Sequence, residues 1–452
     1  MITKDTLETI NADLNRSNYL NNAERQIPVS RTTILKSENV RHNVLKNHGT
    51  LLADEEQNSK VETNDNDLEH VKYHNKMVGR FELCGKFFGL DIVYGNAMYR
   101  NVLFHMTSGF LVFVLSDILY TAYDKYWNGR RLEFLEPLGA FGAVFTLSVK
   151  WVNTAFLYNH IKCLVIYTPR YFINKNKNGA TADIIAKSLS RTSRIVDIYT
   201  WGVIGVTTSY IIFPMIIFLS QNEVIAILPI YIPFCDPNTD DGIVLGNVIQ
   251  MIFCSYGAIA TVMFGMGILM SICNYGFLVE LIQHDMKLLD NMWKHTDQTT
   301  VAYRHAFLRN ICSKVQDMRS YVYMVKKTYE LNLLVYFFMA YSGQVLCIFS
   351  ITQNNWLSGY TTAGVIFVEM TFYCFVGTGL VTMGEKLTRT LYHDCDWFNF
   401  DSKSKRMFQM LLHLSQMRNS LELGPIGQLN MGTGVNIVKS IYSYYAFLNE
   451  VL

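Results

Sequence analysis

Five ionisable side chains interrupt stretches of this chain that are otherwise apolar: His105, Asp117, Lys150, Glu369 and Lys439. Inside lipid such groups are costly and turn toward protein or water, so they mark a bundle interior or a water path. The plainer account of each is a packed or solvated structural polar group. Asp117 lies toward one end of its stretch and Lys150 toward the opposite side of the next, which puts a direct pair out of register; Glu369 is expected to face the bundle. No nucleotide loop, HExxH, GxSxG or paired-carboxylate constellation is present, so enzymatic chemistry has no support. Gly265-Met266-Gly267 is a GxG inside an apolar run, better explained by close helix packing than by phosphate binding. The nine cysteines stand singly without a CxxC pair, and only Cys235 falls in an expected outside loop. No cofactor or metal is expected, and nothing points to nucleic acid.

The elements that must position these residues are membrane helices. Half of the 452 residues are hydrophobic and only 17% charged, against roughly a quarter charged in soluble domains. A bilayer core takes about 20 mainly apolar residues per helix. Seven blocks qualify, at 101–123, 138–158, 199–219, 243–273, 331–351, 360–380 and 433–452. The fold class is therefore an all-α integral membrane protein with seven transmembrane helices. Residues 1–76 are polar, lack a signal-peptide core, and are read as a disordered tail. Phe81–Tyr99 reads as an interfacial or re-entrant segment. Residues 77–380 then carry spans one to six, 381–432 a polar region outside the membrane, and 433–452 the last span. Val224–Phe234 is apolar but broken by Pro229 and Pro233, and reads as an outside loop against the headgroups.

Lys and Arg orient the chain. Segments 1–100, 159–197, 273–330 and 381–430 are basic, whereas 220–242 and 352–359 carry no Lys or Arg and 124–137 carries three. The positive-inside rule then puts the N-terminus in the cytoplasm and, after seven spans, the C-terminus outside. That orientation opposes the G-protein-coupled receptors. No Asp-Arg-Tyr follows the third span and no Asn-Pro-x-x-Tyr lies in the last. No internal repeat of the transporter kind is visible.

In this orientation the outer halves of the spans hold Leu119, Tyr120, Phe141, Phe145, Tyr210, Phe213, Met251 and Ser255, then Phe367, Met370 and Tyr373. If they converge, they line an apolar, aromatic cavity for a small hydrophobic molecule. Lipid contact or core packing is the competing account of any single member.

The last seventy residues carry a signature. The tryptophan-centred stretch Tyr392–Phe398 leads to a basic amphipathic helix ending in Ser415-Gln416. A joint with Gly424, Gly427, Gly432 and Gly434 follows, then Ile437-Val438-Lys439-Ser440-Ile441-Tyr442-Ser443-Tyr444. In order and spacing this resembles the insect odorant receptor family. Phe372-Tyr373-Cys374-Phe375-Val376-Gly377 and Leu228-Pro229…Pro233-Phe234 are similar too, although no acidic residue follows Gly377 as it often does in that family. The resemblance implies an odorant-gated, nonselective cation channel of the plasma membrane of olfactory neurons, assembled as a heterotetramer with a shared co-receptor, this chain being an odour-tuned subunit. It implies that residues 381–432 form a cytoplasmic anchor where subunits meet and that the last helix lines a central pore. Phe447, Leu448 and Val451 would form the apolar gate, and Asn449 and Glu450 the outer mouth, where an acidic group concentrates cations. Lys439 is expected to reach a wide vestibule or snorkel to water. The alternatives are a gustatory-type receptor channel and a metabotropic receptor or transporter.

Overall fold

In a computed structural model, the described residues of six of the seven apolar blocks lie within single helices, and block 138–158 runs across a break at Leu157 into a second helix. The structure describes residues 69–90, 102–130, 132–169, 180–221, 225–230, 232, 239–294, 301–417 and 419–451; the tail up to residue 68, Cys235 and Pro233-Phe234 fall outside them. The described residues form one compact unit of helices: α1 (Glu69–Phe87), α2 (Val102–Trp127), α3 (Leu135–Phe156), α4 (Tyr158–Lys162), α5 (Ala180–Gln221), α6 (Asp240–Lys294), α7 (Val301–Asn354), α8 (Ser358–His393), α9 (Ser402–Gln416) and α10 (Met431–Val451). No strand occurs among them, only an isolated antiparallel bridge between Glu422 and Gln428.

Among the described residues five helices are long and apolar enough to cross a bilayer, namely α2, α5, α6, α7 and α8, and α3 with the segment bent from it by 76° makes a sixth. The bend falls at Leu157, where Asn153 gives its side-chain amide to the Thr328 carbonyl at 2.8 Å. Helix α10 has the length, 21 residues, but falls short in apolarity because it carries Asn436, Lys439, Ser440, Ser443 and three tyrosines. Helix α1 begins at Glu69, so the last residues of the segment read as tail are helical. It is amphipathic and buries Met77 and Phe81.

At 55 and 54 residues, α6 and α7 are each roughly 80 Å long, more than twice the hydrocarbon core. The excess, on the side of the basic segments, packs with the end of α8 and with α9 into a collar of helices. Helix α9 buries Ser404, Phe408, Leu411 and Ser415, one face at helical spacing. Trp397 stacks on Phe408, Phe400 stacks on Trp293, and the Arg304 guanidinium lies 4.4 Å over the Trp293 ring. Lys314 pairs with Asp285 at 2.6 Å, and Lys294 bridges Asp290 and Asp396 at 2.6 and 3.0 Å. The tryptophan-centred stretch is thus the wedge that locks α9 onto α6 and α7.

Asp401 caps α9. Its carboxylate accepts from the Lys403 amide at 3.2 Å and faces His305 Nε2 at 3.1 Å. Burial works against its ionisation, but the Ser404 hydroxyl, His305 and the Lys403 amide together outweigh it and hold the carboxyl at about 2, below its usual 3.8. A depressed carboxyl stabilises the fold above its unfolded pKa and loses that contribution as pH falls through the folded one. Asp401→Ala is expected to destabilise the collar by about 1 kcal/mol at neutral pH, a cap-sized loss because solvent screens this partly exposed side chain. The difference between wild-type and variant melting temperatures of purified protein should shrink from about pH 4 down to about 2.

On the opposite side, Lys125 is neutralised by Glu136 at 3.0 Å and Arg130 lies 3.7 Å from Glu133. Two of the three basic residues of segment 124–137, Lys125 and Arg130, therefore carry acidic partners.

Candidate functional site

A cavity of about 310 Å³ opens among α2, α3, α5, α6, α7 and α8. Its wall is mostly apolar, with Phe110, Val206, Phe253, Met339 and Phe372 contributing. Small residues make the room: a Cβ at Gly142 would meet the Met339 carbonyl at 3.2 Å, so α3 and α7 approach closely there. Likewise, a Cβ at Gly265 would run into the Tyr199 hydroxyl. Tyr199 lies across that glycine, stacks on Phe372 at 4.2 Å and donates its hydroxyl to the Thr261 carbonyl at 3.0 Å. The GxG of α6 is a packing notch.

Part of the expected outside loop closes the cavity. Ile227 is 1% exposed and Leu228 contributes to the cavity wall. Two amides of α6 hold this strap in two-way hydrogen bonds. Asn247 accepts from the Ile227 N–H at 2.9 Å and donates to the Ile225 carbonyl at 2.8 Å. Gln250 accepts from the Leu228 N–H at 2.7 Å and donates back to its carbonyl at 3.0 Å. The described part of the loop, residues 225–230, is thus tied to α6.

At the cavity wall Lys150 of α3 forms an ion pair with Glu369 of α8. The ammonium also lies 4.9 Å from the Tyr336 ring centroid, 5.5 Å from Tyr373 and 5.6 Å from Phe264. Tyr373 donates its hydroxyl to Glu369 Oε1 at 2.9 Å. A lysine boxed by three rings and one carboxylate is the kind of partnership that makes charge tolerable at this depth.

Helix α10 packs by one face only. Gly434, Ile437 and Ile441 are buried against the bundle, and Tyr341 of α7 meets both Ser440 (3.2 Å) and the Tyr444 ring (5.8 Å). Asn436, Lys439, Ser443, Phe447 and Glu450 form the opposite, open face at helical spacing. Its entry is built by the glycine joint. Asn430 accepts from the Thr433 N–H at 2.8 Å, and Thr378 of α8 accepts from the Met431 N–H at 3.0 Å. Gly427 adopts φ +103°, a conformation that suits glycine, as the chain doubles back through the Glu422–Gln428 bridge.

The family model described as 7tm Odorant receptor matches residues 132–442, more than half of the chain. The chain belongs to the odorant receptor family. That family is one of ligand-gated channels, not of enzymes. Two solved structures of the insect olfactory receptor OR5 from Machilis hrabei share the receptor's fold. The one in complex with eugenol is 10% identical with a TM-score of 0.65, and the other is 12% identical with a TM-score of 0.66. Each covers 86% of this receptor and 100% of that chain.

The residues expected from the receptor's sequence fall as follows. Tyr210 lines the cavity, one turn before Pro214 of α5, whose missing N–H frees the Tyr210 carbonyl. Tyr373, fully buried, reaches the cavity wall through Glu369. Phe141 and Phe145 stack on each other at 5.7 Å, on the face of α3 beside Gly142, Thr146 and Lys150. Met251 and Ser255 flank Phe253 and Cys254, with the Ser255 hydroxyl donating to the Met251 carbonyl. Phe213 is half-buried, Phe367 exposed, and Met370 buried one position past Glu369. Leu119 and Tyr120 are exposed toward the end of α2. On α10, Phe447 is 58% exposed, while Leu448 packs against the core. Asn449 accepts from Gln353 at 3.1 Å, Glu450 is exposed, and the Val451 side chain is outside the described residues. Lys439 stands on the open face. The Lys150–Glu369 pair is the feature sequence reasoning missed.

Proposed function

We propose that this receptor is an odour-tuned subunit of an odorant-gated, nonselective cation channel, with a cytoplasmic N-terminus and an extracellular C-terminus. It binds a small hydrophobic volatile in the cavity bounded by Tyr210, Phe253, Phe372 and the Lys150–Glu369 pair. Phe141, Phe145, Phe213, Met251, Ser255, Phe367, Met370 and Tyr373 are not in the cavity wall itself, and act on the ligand through the wall residues beside them on the same helices. The chain assembles with the shared co-receptor as a heterotetramer in the plasma membrane of olfactory neurons, through the collar of residues 381–432. The last helix lines the pore, with Phe447, Leu448 and Val451 as gate and Asn449 and Glu450 at the mouth.

One observation carries the channel reading. Helix α10 leaves the polar face Asn436, Lys439, Ser443 and Glu450 uncovered, and such a face inside a membrane belongs against water or another subunit. The ligand reading draws support from the apolar cavity and from the eugenol bound by the distant relative OR5. Gating then requires that the ligand prefer the open state; a thousandfold shift takes about 4 kcal/mol of differential binding.

The test is current recorded with the co-receptor present. Phe447→Ala should raise ligand-independent leak or shift gating several-fold at unchanged surface level, because an apolar constriction would be widened. Removing the chain from Val435 onward should abolish this subunit's contribution to the odour-evoked current. Odour responses that survive that truncation unaltered would remove α10 from the pore.

A further inference from the structure

We propose that the cavity is tuned to ligands bearing one hydroxyl on an apolar skeleton, small neutral alcohols, and that Glu369 accepts the ligand's hydrogen bond. This deepens the cavity reading above and rests on it.

Where α3 meets α8, the tyrosine hydroxyls already have acceptors inside the protein. Tyr199 donates to the Thr261 carbonyl at 3.0 Å, Tyr336 to the Ile366 carbonyl at 3.3 Å, and Tyr373 to Glu369 Oε1 at 2.9 Å. Lys150 gives a hydrogen bond to that same Oε1 and is otherwise surrounded by rings. The hydroxyl donors near the pair are therefore committed within the protein, and the Lys150 ammonium, with one of its three N–H groups on Glu369, is walled by rings. A carboxylate, however, can accept about four hydrogen bonds, and the bonds from Lys150 and Tyr373 both end on one oxygen. Oε2 takes neither. Exposure points the same way: the Glu369 side chain is 18% exposed and Lys150 only 5%, and both line the cavity. The group offered to a ligand is an acceptor.

That asymmetry sorts ligand chemistry. A hydroxyl donates to Oε2 without bringing charge. A ketone, ester or ether brings only acceptors to a place whose hydroxyl donors are occupied and whose ammonium is less exposed than its carboxylate partner. A protonated amine donates but sets its charge against the Lys150 ammonium, and a carboxylate ligand meets Glu369 itself. Hydrogen bonds to charged groups are among the stronger ones, and losing one corresponds to about tenfold or more in potency.

The experiment compares matched trios of ligands on the receptor expressed with its co-receptor. Each trio has one skeleton carried as the alcohol, its methyl ether and the parent hydrocarbon, for instance 2-phenylethanol with its ether and ethylbenzene, repeated on linear and branched skeletons. The expected result is an alcohol at least about tenfold more potent than its ether wherever a trio is active. Lys150→Met/Glu369→Gln, which removes both charges together, should reach the surface and collapse that ratio to within about threefold, while Glu369→Asp retains it. Equal potency across the trios, a ratio unchanged in the double variant, or silence to every alcohol would overturn the proposal. Val206→Trp, which fills the cavity wall, separates the two readings. If it abolishes every odour response at normal surface level while the alcohol ratio ignores Glu369, the tuning fails and the cavity stands. If Val206→Trp responds like wild type, the cavity itself fails.

Discussion

Lys150→Met is expected to lower the amount of receptor at the cell surface by at least tenfold. The substitution leaves the Glu369 carboxylate, which Lys150 neutralises, with only tyrosine hydroxyls, Tyr373 at 2.9 Å and the neighbouring Tyr336, to offset its charge. Breaking a buried ion pair by removing one partner costs about 3–5 kcal/mol, a large part of a typical 5–15 kcal/mol stability. The same reasoning makes the double replacement Lys150→Met/Glu369→Gln mild, since a buried pair exchanged for neutral groups of similar volume is often close to neutral. Surface biotinylation of the two single variants and the double one completes the cycle. A strongly positive coupling, singles poor and double near wild type, is the expected outcome. Singles at wild-type level would mean that water reaches the pair freely and that the rings around Lys150 do little.

The Lys150–Glu369 pair was within reach of the sequence. Measured from the outer edges of their blocks, 138 and 360, Lys150 lies twelve residues deep and Glu369 nine. The difference of three residues is about 4.5 Å of helix rise, within the span of a lysine side chain. Asp117 sits six residues from its outer edge at 123, about 9 Å shallower than Lys150. Depth alone selects Glu369. What depth cannot give is which way each helix is turned. Phe141 and Phe145 share one face of α3, and Gly142, Thr146 and Lys150 share the next, about 100° away. Phe367 and Glu369, two residues apart, lie on nearly opposite sides of α8, about 200° around the helix. In a soluble helix the polar face would settle the rotation, but here lipid and cavity are both apolar and the pattern is mute. The extents of α6 and α7 escaped for a different reason. The α6 residues after 273 and the α7 residues before 331 are rich in polar and charged side chains, so composition marks where the bilayer ends but not that the helix continues through it into the collar. The glycine joint, by contrast, was legible as a joint, and the structure supplies the use of each position: Gly427 for its backbone angle, Gly434 for contact with Cys374.

Gly377→Val is expected to abolish odour-evoked current, and its mechanism lies at that joint. Gly377 of α8 faces Leu429, and an added Cβ would strike the Leu429 carbonyl oxygen and come within 2.6 Å of its Cγ. A backbone carbonyl cannot swing aside as a long side chain can. Leu429 is fully buried, and its N–H is tied to the Leu421 carbonyl at 2.8 Å. One residue on, Thr378 holds the Met431 N–H at the start of α10. Pushing the joint away therefore also strains the hydrogen bond by which α8, which contributes Glu369 to the cavity, grips the last helix. Overpacking costs about 1–3 kcal/mol, and at 1.4 kcal/mol per decade the upper end would shift a gating or folding equilibrium roughly hundredfold. Graded variants sort position from bulk. Gly434→Ala meets only the Cys374 sulfur at 2.8 Å, a side chain able to yield, and should be milder. Gly379→Ala, two residues from Gly377, meets nothing within 4 Å and should behave as wild type. Current and surface level recorded together for the three variants decide the matter. Normal gating in Gly377→Val would mean that ligand binding reaches α10 by a route other than this contact.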